Sequence, residues 1–159
     1  MANISSKRSG QVIADVVLAL QSVMQPENIA TQEEILDAYS HDAWPVSALE
    51  KKMEIHQFRP DIVVTPRSKK EILGVLKVAK DNQVPVMARG LGSSVTGQSL
   101  ATQGGIVLDL SKIVSEPVLS ISDMTVSASA GMRGSDLEEW LNKKSLTMNF
   151  FPQSLSRST

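Results

Sequence analysis

VPVMARGLGSSVTG, residues 84–97, joins a short apolar strand to a glycine-rich loop. After Arg89 the loop holds three glycines and three hydroxyl residues: Gly90, Gly92, Gly97, Ser93, Ser94 and Thr96. Glycine permits positive φ and lacks the Cβ that would keep a ligand away from the backbone. Successive N–H groups in such a turn form a concavity that binds anions. The stretch therefore predicts a phosphate-binding loop at the end of a strand.

Two common nucleotide-binding motifs fit this loop poorly. A dinucleotide fingerprint requires GxGxxG at the start of a helix, but here the third glycine comes only at Gly97 and a run rich in Gly, Ser and Thr follows it. Residues 92–99, GSSVTGQS, match GxxxxGK[ST] except that Gln98 replaces the lysine that would contact the outer phosphates. A pyrophosphate loop of another fold and a glycine-rich surface turn remain as alternatives.

The composition is typical of one globular domain. The 159 residues are 42% apolar, and the net charge is −1 with dispersed basic residues, which gives no basis for nucleic-acid binding. The absence of cysteine excludes disulfides, thiolate metal sites and a cysteine nucleophile, and it fits a reducing compartment. Because Asp15 interrupts the first apolar run after MANISSKRSG, we predict neither a signal peptide nor a membrane span, and we expect a cytoplasmic protein.

Helical spacing and capping patterns predict the first elements. Apolar residues recur at helical spacing over residues 12–24, and Pro26 ends that helix. Thr31-Gln32-Glu33-Glu34 matches a capping box and predicts a helix that ends near Ser40. Over residues 41–59 the periodicity is lost, and Trp44-Pro45 indicates an extended or turn segment.

The middle of the chain predicts a strand, a helix and a second strand. Residues 61–65 are β-branched and apolar, and Pro66 ends this strand. A second capping box, residues 68–71, opens a helix whose apolar face comprises Ile72, Leu73, Val75, Leu76 and Ala79. The next strand covers residues 84–87, so the two strands should be parallel with a right-handed crossover. The glycine loop then leaves the carboxyl end of a strand, where ligands collect in such sheets.

The last third predicts two more strands and one helix. Residues 105–110 form an apolar strand, and residues 124–130 alternate as a half-exposed strand. A third capping box, residues 135–138, starts a helix that continues to about Lys144. Helices and strands together predict an α+β (mixed α/β) fold, with a small parallel or mixed sheet and flanking helices.

The order of these elements resembles a known flavoprotein family. VPVMARGLGSS, GGIVLDLSKI, TVSASAGMRGSDLEEWL and FFPQSLSRST follow one another as in the amino-terminal half of the FAD-binding PCMH-type domain of the vanillyl-alcohol oxidase superfamily. Within it, the glycolate oxidase and D-lactate dehydrogenase branch and alkyldihydroxyacetonephosphate synthase are both similar. The resemblance divides the chain into a helical segment, 1–40, and the first half of the FAD domain, 41–159.

The resemblance assigns FAD contacts to two segments. The family's pyrophosphate loop falls on Ala88, Arg89, Gly90, Leu91, Gly92, Ser93 and Ser94, and a second flavin-contacting segment falls on Gln153, Ser154, Leu155, Ser156, Arg157, Ser158 and Thr159. Gln153 stands where the family usually has aspartate. The loop lacks the histidine of members that attach the flavin covalently, so noncovalent FAD is implied. Arg89 has two open roles, a direct charge for the pyrophosphate or a residue that shapes the loop.

The resemblance also implies what these residues lack. These residues have no counterpart of the second half of the FAD domain, of the substrate-binding cap or of the family's catalytic residues. We therefore expect the chain alone to be inactive, and the resemblance assigns no catalytic residue to it. The parent is expected to oxidise a small-molecule 2-hydroxy acid. The alternatives are an ether-lipid synthase of the alkyldihydroxyacetonephosphate type and a non-catalytic nucleotide-binding module. A homodimer is left open.

Other polar residues are assigned structural roles. His41 and His56 have no carboxylate or cysteine nearby at ligand spacing, so we predict no metal site. Asp109 ends a strand and is expected to cap the turn at Ser111. Tyr39 and Trp44 are expected to pack beside helix ends.

Overall fold

A computed structural model describes residues 9–159. Within this range, helices α1 to α5 span Gly10–Gln21, Glu33–Tyr39, Pro45–Lys52, Lys69–Asp81 and Gly134–Asn142. Strands β1 to β6 span Ile29–Ala30, Ile62–Val64, Val86–Arg89, Ile106–Asp109, Val118–Ser120 and Thr125–Ser127. Two 3-10 turns, Pro26–Asn28 and Leu155–Arg157, complete the elements. Residues 1–8, part of the stretch that argued against a signal peptide, lie outside the described residues.

Four strands form a mixed sheet in the order β1-β2-β4-β3. Strands β2 and β3 are each parallel to β4, which confirms that the strand-helix-strand unit is parallel. They are not neighbours, however, because β4 lies between them. Strand β1 adds an antiparallel edge to β2. The mixed helix and sheet fold predicted from the sequence is confirmed.

Helices cover both faces of this sheet. On one face Ile62 and Val64 of β2 pack in a buried cluster with α1 and α4, and on the other Val63 packs with Leu36 of α2. A strand with two buried faces reads as a continuous apolar run, as β2 does.

The apolar face of α4 is narrower than the sequence predicts. Leu73 was expected on this face but is 68% exposed, since it lies about 100° around the helix from Ile72. Leu76 is also exposed, because it lies about 100° around the helix from the buried Val75. The buried residues of α4 are Val75 and Ala79.

Of the three predicted capping boxes, the one at Ser68 is confirmed for its serine, whereas its glutamate bonds one residue before the N-cap. The Ser68 hydroxyl accepts from the Glu71 N–H at 3.2 Å, and the Glu71 carboxylate accepts from the Arg67 N–H at 2.7 Å. This cap begins α4 at Lys69 and therefore fixes the crossover between β2 and β3.

The capping boxes at Thr31 and Ser135 were wrong. Helix α2 begins at Glu33 with Gln32 as an N-cap that makes no side-chain bond, so Thr31 lies one residue before the cap position. Helix α5 begins at Gly134, so Ser135 lies inside it. The carboxylate of Glu138 accepts instead from the hydroxyl of Thr147 at 2.6 Å.

The extended or turn segment predicted at Trp44-Pro45 is confirmed at Trp44, but the stretch without periodicity, residues 41–59, contains a helix that was not predicted. Helix α3 spans Pro45–Lys52, with Pro45 at its first turn and Trp44 as an extended N-cap. Proline suits this position because its missing N–H would have no helical partner there. The buried residue of α3 is Ser47, so no apolar stripe signals this helix in the sequence.

The half-exposed strand predicted over residues 124–130 is shorter than expected. Strand β6 spans Thr125–Ser127 and pairs with β5 in a separate antiparallel hairpin, in the register Leu119↔Val126. The chain turns just before it, where Met124 has φ 52°. The hairpin therefore does not extend the main sheet.

Candidate functional site

The glycine loop leaves the carboxyl end of β3, as the sequence predicts. Arg89 is the last residue of β3 and pairs in register with Asp109 of β4. Its carbonyl accepts from the N–H of Leu110 at 2.8 Å, so the two parallel strands end together. Gly92 has φ 68° and Gly97 has φ 76°, the left-handed conformation that glycine adopts without strain. A residue with a side chain would be strained at either position.

The two segments assigned to FAD meet in space. The hydroxyls of Ser93 and Ser158 lie 3.1 Å apart, although 65 positions separate them in the chain. Gly90 faces Thr159 so closely that a Cβ on Gly90 would overlap the Thr159 Oγ1. Ser158 also contacts the Ser154 hydroxyl at 2.9 Å, within its own segment. Two distant segments therefore form one surface of glycine backbone and hydroxyl groups.

The remaining assigned residues lie on or near this surface. Ser94 accepts from the N–H of Gln98 at 3.0 Å, which closes the loop on itself. Ser93, Ser94, Ser154, Leu155 and Ser158 are partly buried, whereas six others are exposed: Ala88, Leu91, Gln153, Ser156, Arg157 and Thr159. Arg157 is the cation of this exposed set and can approach a phosphate from solvent.

A third segment supports the site, and sequence reasoning did not assign it. The N–H of Gly134, at the start of α5, donates to the Ser158 carbonyl at 3.0 Å. A Cβ on Gly134 would lie 2.5 Å from Leu155 Cδ1. The paired glycines of Gly131-Met132-Arg133-Gly134 were the available signal, because glycine marks places where another chain segment approaches closely.

The side chain of Arg89 is directed into the protein. It is 9% exposed, and its Nη2 donates to the His41 carbonyl at 2.7 Å. Its Nη1 makes a longer bond of 3.4 Å to the Tyr39 carbonyl, and its Cζ lies 5.1 Å from the centre of the Tyr39 ring. Of the two roles left open by the sequence, this geometry favours the shaping role.

Buried polar groups beneath the loop perturb one another. Burial lowers the pKa of Arg89, while the negative charges of Asp42 and Asp109 favour its charged form. Burial also raises the pKa of Tyr39, and the hydrogen bond from its hydroxyl to the Asp109 carboxylate acts in the same direction. The other Asp109 oxygen accepts from the Ser111 N–H at 2.8 Å, as predicted. Tyr39 is therefore a neutral donor beneath a charged guanidinium.

The histidines contact each other and a serine. His41 and His56 pack edge to face with ring centroids 5.0 Å apart, and the Ser40 hydroxyl lies 2.9 Å from His41 Nδ1 and 3.0 Å from His56 Nδ1. Across residues 9–159, His, Cys, Asp and Glu side chains form no group of three or more that could hold a metal ion.

An apolar groove of about 800 Å³ lies beside the second FAD segment. The β5–β6 hairpin, α5 and the carboxyl-terminal segment line it, through residues that include Leu119, Met124, Val126, Leu137, Leu141, Phe150 and Leu155. Phe150 is 75% exposed and Met124 is 78% exposed. Apolar surface of this extent is typical of a region that packs against a further structure or a ligand.

The residues present fit a dinucleotide pyrophosphate. Gly92 adopts a positive φ, hydroxyls of Ser93 and Ser158 lie side by side, and Arg157 provides an exposed cation. Backbone N–H groups, hydroxyl groups and an arginine are the donors that phosphate oxygens accept. Ser158 and Thr159 of this surface also line the apolar groove.

Comparison with known proteins identifies relatives of the chain. The model of the FAD binding domain family matches residues 60–159. The mitochondrial D-lactate dehydrogenase [cytochrome] of Arabidopsis thaliana is 30% identical over 142 residues, which are 89% of this chain and 23% of that protein. Glycolate oxidase subunit GlcD of Bacillus subtilis is 28% identical over 148 residues, 93% of this chain and 30% of that subunit. Alkyldihydroxyacetonephosphate synthase of Caenorhabditis elegans is 34% identical over 104 residues, 63% of this chain and 17% of that enzyme.

Solved structures show the same fold. A structure of alkyldihydroxyacetonephosphate synthase aligns with a TM-score of 0.79 at 18% identity, over 98% of this chain and 31% of that chain. The chain therefore spans less than a third of the length of each of these four relatives.

No helix within the described residues is long and apolar enough to cross a membrane.

Proposed function

Since the chain belongs to the FAD binding domain family, we propose that it forms the amino-terminal part of the FAD site in an oxidoreductase of 2-hydroxy acids such as glycolate or D-lactate. One observation carries the proposal: the two predicted FAD segments meet at Ser93 and Ser158, 3.1 Å apart. The names of the D-lactate dehydrogenase and glycolate oxidase relatives support the substrate class.

The site suggests separate roles for the cofactor and for the residues that would hold it. FAD, when bound, would be the hydride acceptor. The residues that would hold and orient it are those of the loop, 88–94, and of the second segment, 153–159, with the Gly134 N–H fixing the position of Ser158. The substrate base and the substrate pocket belong to the part of the relatives' length that this chain does not span. The domain division at residues 40 and 41 is part of the same proposal.

A second function has one specific observation in its favour. The Ser-Leu-x-x-Ser-Thr pattern of residues 154–159 resembles the alkyldihydroxyacetonephosphate synthase version of this segment, and the relative of that name is 34% identical over its match. An ether-lipid synthase would bind FAD at the same residues. A nucleotide-binding module without turnover is the alternative from another class.

Flavin reduction distinguishes these proposals. We expect the full-length protein to purify with noncovalent FAD that acid precipitation releases, and D-lactate or glycolate to bleach its visible absorbance under anaerobic conditions. L-lactate serves as the matched control substrate. If the protein binds FAD but neither D-lactate nor glycolate bleaches it, the assignment to 2-hydroxy acids is contradicted. If it binds a nucleotide that has no flavin absorbance, the non-catalytic nucleotide-binding module is favoured.

A glycine substitution tests the placement of the pyrophosphate. We expect Gly92→Val to abolish FAD binding in the full-length protein without unfolding it, because valine is strained at φ 68° and its Cβ would overlap the Arg89 guanidinium. Gly10→Val is the matched control, since a Cβ on Gly10 has no neighbour within 4 Å. Circular dichroism of both variants checks folding. Normal FAD affinity in Gly92→Val would show that the pyrophosphate lies elsewhere.

Compartment and assembly complete the proposal. We place the parent protein in the cytoplasm because the cysteine-free composition fits a reducing compartment, although the Arabidopsis relative is named as mitochondrial. Cell fractionation tests this location. A homodimer remains a proposal that light scattering on the full-length protein would test.

A further inference from the structure

We propose that Arg89 is a positioning residue that fastens the glycine loop to the end of α2 and to the α2–α3 connection, residues 40–44, and is not itself a ligand of the pyrophosphate. The inference rests on the proposed FAD site and identifies what holds that site in shape. The α2–α3 connection precedes the residues matched by the family model, which begin at residue 60.

The donors of Arg89 point into the protein. Two of its N–H groups are directed at the carbonyls of Tyr39 and His41, at 3.4 and 2.7 Å. The guanidinium also lies over the Tyr39 ring, and only 9% of the residue is exposed. Arginine suits this position because its planar fork can donate to two acceptors while its flat face stacks on an aromatic ring.

The absence of a side chain at Gly92 leaves room for that guanidinium. A Cβ on Gly92 would overlap Arg89 Nη2 and lie 2.7 Å from Cζ. The Gly92 carbonyl in turn accepts from the Ala43 N–H at 3.1 Å. The same residue of the loop therefore contacts Arg89 on one side and the α2–α3 connection on another.

Further contacts join the connection to the end of the loop. The Ser99 hydroxyl donates to the Asp42 carboxylate at 3.2 Å, and the other Asp42 oxygen accepts from the Trp44 N–H at 3.0 Å. Trp44 lies against Gly97, where a Cβ would be 3.1 Å from its ring. Both ends of the loop are thus held by the same five-residue connection: Arg89 donates to the His41 carbonyl at one end, and Asp42 accepts from Ser99 at the other.

A direct ligand and a positioning residue respond differently to two changes. A lysine at residue 89 keeps the positive charge but cannot donate in a fork to two carbonyls, so it preserves a point-charge role and loses a shaping role. Attraction between a side chain and exposed phosphates also weakens as salt rises, whereas a packing effect on loop shape does not.

The experiment measures FAD affinity of the full-length protein by quenching of flavin fluorescence. Wild type, Arg89→Lys and Arg89→Met are compared at low and high sodium chloride, with Gly10→Val as the control and urea unfolding of each apoprotein as the check on folding. We expect both Arg89 variants to bind FAD about tenfold more weakly or worse, which corresponds to about 1.4 kcal/mol. We expect this ratio to wild type to be the same at both salt concentrations.

A double substitution provides an independent measurement. Gly92→Ala should weaken FAD binding by a larger factor in wild type than in an Arg89→Ala background, because the shorter side chain removes the overlap. Equal factors in the two backgrounds would overturn the inference. So would wild-type affinity in Arg89→Lys, or a loss that disappears at high salt. A wild-type protein that binds no FAD overturns the proposed function and this inference together, whereas wild-type binding with an unaffected Arg89→Lys overturns the inference alone.

Discussion

Tyr39 joins α2 to the sheet through one hydroxyl and one aromatic face. Its hydroxyl donates to the Asp109 carboxylate at the end of β4, and its ring lies beneath Arg89. Ionisation of the phenol would place a second negative charge beside Asp109 in a partly buried site. The folded state is therefore stable only when the Tyr39 hydroxyl keeps its proton.

We therefore expect stability to decline at alkaline pH through Tyr39. Its pKa is raised above the ordinary 10.0, first by burial, so the folded state holds the proton more tightly than the unfolded chain. The resulting stabilisation is complete below pH 10 and declines as the pH rises from there towards the folded-state pKa. Tyr39→Phe should lack this decline in urea unfolding above that pH.

The same prediction can be read spectroscopically, because Tyr39 is the only tyrosine in the sequence. Phenolate absorbance should appear at about pH 10 in denaturant and at higher pH in the folded chain. Identical titration curves with and without denaturant would contradict the buried hydrogen bond.

Arg89 shows where residue-scale prediction from sequence ends. Its place in a glycine loop was visible in the sequence, but its partners are main-chain carbonyls of Tyr39 and His41, which carry no sequence signal. Direct binding and loop shaping require the same residue type, so only the direction of the side chain in the fold favours one of them.

At the scale of elements, two serines that match the same motif behave differently. Ser68 caps α4, whereas Ser135 lies inside α5. We expect Ser68→Ala to lower the free energy of unfolding by about 1 kcal/mol through loss of the cap. Ser135→Ala is the matched control and should change it by less than about 0.5 kcal/mol. Urea unfolding of the two variants checks this, and equal losses would mean that the cap contributes nothing specific.

The elements predicted well are those with strong local signals. Strand β2, helix α4, strand β3 and strand β4 were all predicted, since each combines an apolar run or stripe with a clear end such as Pro66. Helix α3 lacked an apolar stripe, and α5 begins at Gly134, whose N–H donates to the distant Ser158 carbonyl. Contacts between segments decide such cases, and a single sequence does not display them.

At the scale of the whole molecule, the apolar groove exposes a continuous apolar lining to solvent. We expect the 159-residue chain to enhance the fluorescence of an apolar dye such as anilinonaphthalene sulfonate, because its groove of about 800 Å³ is open. Phe150→Ser should reduce that fluorescence, since Phe150 lines the groove. Phe151→Ser is the control, being 56% exposed but outside the lining. Equal reductions would argue against binding in the groove.

Sequence reasoning assigned both of these distant segments to FAD only through a family resemblance. Neither the loop nor the second segment reveals by itself that Ser93 and Ser158 come together. The approach depends on the end of β3 and on the turn before α5, which are separated in the chain by β4 and the β5–β6 hairpin. Periodicity predicted three of the four strands of the main sheet, whereas the site required the order of all the elements.

The central position of β4 also decides when the chain can fold as it leaves the ribosome. Strand β3 has no neighbouring strand until Ile106–Asp109 has been synthesised, and until then β2 has only the two-residue β1 beside it. Unpaired strand edges expose a nascent chain to aggregation. The glycine loop lies between β3 and β4 in the sequence, so its anchor at Arg89 gains its neighbour Asp109 only at the end of this vulnerable interval.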